Sequence, residues 1–146
     1  MTKVDFYILP DADKKAGLQF ACRLIEKAYQ QQHRIYIHVD TEKEAHDLDE
    51  LLWTYRIDNF LPHNLYGEGP DLAPPIQIGF NIAPEKQRDI LFNLSQTVPL
   101  FYPQFTRILE LVPTDTAAQE RAREHYRFYR DAKCEMITHK LPTVEA

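Results

Sequence analysis

The chain has 146 residues, 44% of them hydrophobic, and a formal net charge of −5. That length fits one domain with a sizeable core and excludes a disordered chain, and the acidic balance argues against binding duplex nucleic acid over a broad surface. Two cysteines, Cys22 and Cys134, have neither metal nor disulfide spacing, and no segment has the length of a signal peptide or a membrane span, so a cytoplasmic, soluble protein is expected.

Val4 to Leu9 is rich in β-branched and aromatic residues and predicts a strand. Pro10–Asp13 ends it and supplies a helix cap. From about Lys15 to Gln32 the apolar residues Leu18, Ala21, Cys22, Ile25, Ala28 and Tyr29 recur at helical spacing. Arg34 to Val39 alternates Ile35, Ile37 and Val39 and predicts a second strand. Asp40 and Thr41 precede a helix with Ala45, Leu48, Leu51 and Leu52 on its apolar side and Trp53 at its end. Strand, helix, strand, helix is the pattern of a parallel sheet with crossover helices.

Prolines and glycines crowd the stretch from about Asp58 to Pro75, which reads as loop. Ile76 to Phe80 is a short strand. Arg88 to Leu94 fits either a strand or a helical turn and is read as strand as far as Phe92. Pro99 to Phe105 is expected to be a short helix starting near a proline, and Arg107 to Val112 a further strand. Thr114, Asp115 and Thr116 cap a long final helix, and residues 141–146 read as a frayed tail.

That final helix carries the most informative run, Gln119-Glu-Arg-Ala-Arg-Glu-His-Tyr-Arg-Phe-Tyr-Arg130. Helical spacing places Arg123, Tyr126, Arg127 and Arg130 on one face. Between Arg121 and Lys133 there are five Lys/Arg and two acids, Glu124 and Asp131. A basic, aromatic stripe on an acidic chain points to a specific anionic partner. A solvated face with one tyrosine packed inward is the plainer alternative.

Catalytic patterns are missing. A phosphate cradle needs glycines directly after the first strand, and that turn is Pro10–Asp13 with two acids. No His-x3-His or Cys-x2-Cys pair and no Gly-x-Ser-x-Gly elbow occurs. Asp47, Asp49 and Glu50 lie on the polar side of a helix and read as solvated. No catalytic residue, metal or cofactor is expected.

The motifs Asp5-Phe-Tyr-Ile-Leu9, Asp49-Glu-Leu-Leu-Trp53, Asn59-Phe-Leu-Pro-His-Asn-Leu-Tyr-Gly-Glu-Gly-Pro70, Arg88-Asp-Ile-Leu91 and Arg121-Ala-Arg-Glu-His-Tyr-Arg-Phe-Tyr-Arg130 stand in this order. In order and spacing the chain resembles the chi subunit family of bacterial DNA polymerase III from about residue 4 to residue 133. The resemblance implies an α/β fold: one domain, 1–146, a three-layer sandwich with a mostly parallel central sheet and flanking helices, nucleotide-binding-like but without a phosphate loop. It implies a non-catalytic adaptor of the replicative polymerase, with two partners. One is the psi subunit of the clamp-loader complex. The other is the acidic, phenylalanine-terminated C-terminal tail of single-stranded DNA-binding protein. A helicase using the psi surface is a further partner by family analogy. Direct binding of single-stranded DNA through the same arginines, with Tyr126 and Tyr129 as stacking platforms, is the rival reading. The acidic balance disfavours it.

By the same resemblance Arg123, Tyr126 and Arg127 match the tail site, with Gln119 and Arg130 on its flank. Gln119 departs from the family, where a lysine often stands, and Arg121 lies about 200° away around the helix at 100° per residue. Phe60, Trp53 and Val112 match apolar positions connected with psi. For Trp53 the sequence leaves core and contact equally open, while Phe60 opens a loop and is the better contact. His63 and Asn64 are expected to pin that loop through side-chain hydrogen bonds, and Gly67 with Gly69 to shape a tight turn with positive φ.

Overall fold

The computed structural model describes residues 2–10, 13–55, 61–67, 73–80, 82–85 and 89–140. Phe60, Glu68, Gly69, Arg88 and the tail 141–146 lie outside these residues. In chain order the elements are β1 (Lys3–Ile8), α1 (Lys14–Gln30), β2 (Ile35–Val39), α2 (Glu42–Thr54), β3 (His63–Leu65), β4 (Ile76–Phe80), β5 (Ile90–Asn93), a 3-10 turn (Tyr102–Gln104), β6 (Arg107–Val112), α3 (Thr116–Asp131) and β7 (Glu135–Lys140). The strands form one sheet in the order β3-β4-β2-β5-β6-β1-β7. Each neighbouring pair is parallel.

Side-chain alternation along the strands makes three layers. On one face Ile35, Ile37, Val39, Ile76, Ile78, Ile90 and Phe92 meet Ala21, Cys22, Ile25 and Ala28 of α1 and Ala45, Leu48 and Leu52 of α2. On the other face Val4, Phe6, Tyr36, Leu91, Ile108 and Val112 pack with Phe105 and with Tyr129 of α3. Burying each large apolar side chain contributes roughly 1.5–3 kcal/mol.

Local sequence sets the helix ends. Asp13, Thr41 and Asp115 cap α1, α2 and α3, accepting from Lys15 N, Glu44 N and Ala118 N at 3.0, 3.1 and 3.2 Å. α1 and α3 both end in the Schellman pattern, in which two backward amide bonds close the last turn. Gln32 N donates to Tyr29 O and His33 N to Ala28 O; Lys133 N donates to Arg130 O and Cys134 N to Tyr129 O. The residues in the left-handed position are Gln32 (φ 68°) and Lys133 (φ 63°), not glycine.

Several expectations change. The stretch read as loop from Asp58 to Pro75 contains β3, three residues that exist as a strand because they pair with β4. β7 was not foreseen: its six residues mix polar and apolar types, and pairing with β1 along its length holds it extended. The ambiguous Arg88–Leu94 segment is a strand over Ile90–Asn93. The expected Pro99–Phe105 helix shrinks to the 3-10 turn, with Pro103 inside it. Gly67 does take positive φ, 91°.

Candidate functional site

α3 is pinned to the sheet along Ala118, Ala122, His125 and Tyr129, spaced four, three and four residues apart, with Ala122 half-buried and the other three buried. Two of these are polar and meet a buried acid. Glu110 of β6, 4% exposed, accepts from His125 Nδ1 at 2.9 Å and from the Tyr129 hydroxyl at 2.6 Å. Asn93 Nδ2 donates to the same carboxylate at 3.0 Å and to Thr97 O at 3.2 Å. Charge-assisted bonds of this kind in a low-dielectric interior fix rotation and register more tightly than apolar packing alone. Burial and Glu110 push the Tyr129 phenol up, so it stays a donor.

Because that side faces inward, Arg123, Tyr126, Arg127 and Arg130 all face out, as helical spacing predicts. Arg123 and Arg127 make no hydrogen bond or ion pair among the described residues, so both guanidiniums are available to a ligand. Arg130 is partly engaged: its Nε and Nη2 each lie 3.3 Å from Asp131 Oδ1. The Tyr126 ring is 41% exposed and leans on Phe6 of β1, with ring centroids 5.7 Å apart. The site is therefore an apolar floor, the Tyr126 ring backed by the buried Phe6, beside free cations. Such an arrangement holds a carboxylate next to an aromatic or aliphatic side chain.

Gln119 is half-buried on the same flank as Arg123, while Arg121 lines a cavity on the opposite flank of α3. Arg121 therefore does not stand in for a cation at position 119. Sequence reasoning missed Phe6 and Glu110. Phe6 gave no signal beyond its strand, but Glu110, an acid inside the apolar run Ile108–Val112, was a legible sign of a buried partner.

The residues matched to the psi contact separate. Trp53 is 53% exposed at the end of α2 and leans on His63, ring centroids 4.5 Å apart. That removes the core alternative for Trp53. Val112, 8% exposed, belongs to the core beneath α3, so its expected place on a contact surface is corrected: β6 is an interior strand and its side chain is enclosed. Phe60 lies outside the described residues. His63 and Asn64 do pin their segment. The His63 ring nitrogens lie 2.6 Å from Leu61 O and 3.0 Å from Asp49 O, and Asn64 Oδ1 accepts from Gln77 Nε2 at 3.2 Å.

At the carboxyl ends of the strands, where open α/β sheets usually hold ligands, a cavity of about 500 Å³ is lined in part by Asp13, Glu44, Asp47 and Asp115. The carboxylates there outnumber Arg121 and His125 of the same lining, which disfavours phosphate, in keeping with the missing glycine loop. Among the described residues no group of three or more His, Cys, Asp or Glu could hold a metal ion, and no helix is long and apolar enough to cross a membrane.

The family model for the DNA polymerase III chi subunit, HolC, matches residues 1–137. A protein of Pseudomonas aeruginosa strain PAO1 named DNA polymerase III subunit chi is 42% identical over 144 residues, 99% of this chain and 100% of that one. Proteins of the same name are 34% identical over 140 residues in Escherichia coli K12, covering 90% of this chain and 93% of that one, and 36% identical over 129 residues in Haemophilus influenzae Rd, covering 86% and 88%.

Proposed function

The chain belongs to the chi subunit family of DNA polymerase III, an accessory subunit in replication and not a catalyst by itself, and on that premise we propose that it is a cytoplasmic adaptor with two docking faces. α3 receives the acidic C-terminal tail of single-stranded DNA-binding protein. The end of α2 and the loop after it receive the psi subunit, which connects the chain to the clamp loader.

The observation that carries the first face is the pair of free guanidiniums, Arg123 and Arg127, beside Tyr126 on Phe6. One arginine holds the terminal carboxylate of the tail while the floor takes its phenylalanine ring. The other cations attract the aspartates, mainly raising the association rate and its sensitivity to salt. A fluorescent peptide copying the acidic, phenylalanine-terminated tail tests this. Saturable binding is expected, falling at least tenfold, about 1.4 kcal/mol, in Arg123→Ala and weakening when the peptide carboxylate is amidated. Tighter binding of a bare oligonucleotide than of the peptide would overturn it in favour of direct DNA binding.

The exposed Trp53 on His63 supports the second face, since large half-exposed aromatics mark interaction hot spots. Trp53→Ala and Phe60→Ala are expected to weaken co-purification of psi and to leave peptide binding intact. Normal psi recovery with both variants would move the psi contact elsewhere.

A further inference from the structure

β7 is the last strand of the sheet; β1 takes one of its edges, and no described strand takes the other. Strand parity decides which backbone groups are free. Glu135 N donates to Thr2 O on the β1 side at 3.3 Å. Successive residues of a strand turn their peptide groups to opposite edges. Glu135, Ile137 and His139 therefore serve β1, and Met136, Thr138 and Lys140 turn N–H and C=O outward.

The same three residues face α3. They register with Val4, Phe6 and Ile8. Val4 and Phe6 lie in the core beneath α3, and Met136 packs against it. Phe6 carries Tyr126. The free edge and the cationic side of α3 thus border one groove. Helical spacing puts Arg123 and Arg130 on its helix side with Tyr126, and Lys133 and Lys140 are exposed on the turn and the strand. The nearest acids are occupied or turned away: Asp131 lies against Arg130, and Glu135 shares the parity of His139, whose ring faces the α1 layer against Tyr7.

We propose that this edge takes an extended acidic peptide as an added strand, with backbone hydrogen bonds to Met136, Thr138 and Lys140 and alternate side chains over Tyr126 and Met136. The inference rests on the α3 reading and deepens it: arginines set which peptide binds, and the strand edge sets its conformation. Charge complementarity selects this occupant, because Arg123, Lys133 and Lys140, with Arg130 shared with Asp131, disfavour a second copy, whose own cations would face them.

The test uses the full chain and the acidic, phenylalanine-terminated peptide with single backbone N-methyl groups. Methylation at amides of one parity is expected to lower affinity at least tenfold, and at the other parity to leave it within about twofold. Thr138→Pro, which deletes one outward N–H and no bond to β1, is expected to lower affinity at least fivefold at unchanged melting temperature, with Thr138→Val as control. Equal tolerance of methylation at every position, with Arg123→Ala still weakening binding, overturns the added strand and leaves the α3 reading standing. Failure of the unmodified peptide to bind overturns both. A dimer of the chain that persists at saturating peptide, or a tenfold gain on deleting residues 141–146, assigns the edge to a second copy or to the chain's own end and likewise overturns the proposal.

Discussion

His125 Nδ1 lies 2.9 Å from Glu110 Oε1 while its Nε2 lies 2.8 Å from the carbonyl oxygen of Gln96. Both partners can accept, so the pocket favours the doubly protonated ring. Burial alone would lower its pKa, but the Glu110 carboxylate and the Gln96 carbonyl outweigh burial and raise it above the usual 6.5. A raised histidine pKa gives stability that is fully present below about pH 6.5 and is lost as pH climbs through the folded-state value. Urea unfolding is expected to show the wild type weakening from pH 6 towards pH 9. His125→Gln removes that slope. His125→Ala leaves Glu110 buried without its counter-charge and is expected to cost about 3–5 kcal/mol.

Gly79 of β4 is needed for a different reason. A Cβ there would fall inside the hydroxyl group of the buried Tyr36, which donates to Ile82 O at 2.8 Å. Gly79→Ala is expected to destabilise by about 1–3 kcal/mol through overpacking. Tyr36→Phe made in the same chain removes the clashing oxygen and is expected to recover part of that loss in chemical denaturation.

The left-handed residues that close α1 and α3 give the opposite sign. Gln32 and Lys133 hold φ of 68° and 63°, a conformation costing an L residue roughly 1–2 kcal/mol, while glycine adopts it freely at a smaller entropic cost. Gln32→Gly is expected to raise stability by about 0.5–1 kcal/mol, seen as a higher melting temperature. Lys133→Gly is expected to do the same and to weaken the acidic peptide modestly, because it removes one cation from the groove.

Tyr126 separates ring from hydroxyl. Its ring packs on Phe6, and no hydrogen bond within the described residues uses its oxygen. Tyr126→Phe is expected to bind the acidic peptide within about twofold of wild type, and Tyr126→Ala at least fivefold more weakly; equal loss in both variants would transfer the role to the hydroxyl.

The fold was largely legible where a local pattern repeats. Val4–Leu9, Arg34–Val39, Ile76–Phe80 and Arg107–Val112 announce themselves through branched and aromatic residues, and α1, α2 and α3 through helical spacing with Asp13, Thr41 and Asp115 as caps. β3 and β7 were not legible, because a three-residue strand and a mixed polar strand are extended only when β4 and β1 offer them partners. For the candidate site, spacing alone put Arg123, Tyr126, Arg127 and Arg130 on one helix face. It could not tell whether that face met water.

The sequence by itself determined the parallel α/β class, the absence of a phosphate loop after β1, the family and the cationic face of α3, since each depends on residues close together in the chain. The tertiary structure alone decided the rest. The buried carboxylate of Glu110 turns His125 and Tyr129 inward and so sends the arginines out. Sheet order encloses Val112, leaves Trp53 exposed, and places the free edge of β7 beside Tyr126. These follow from contacts between residues distant in sequence, which no local pattern encodes.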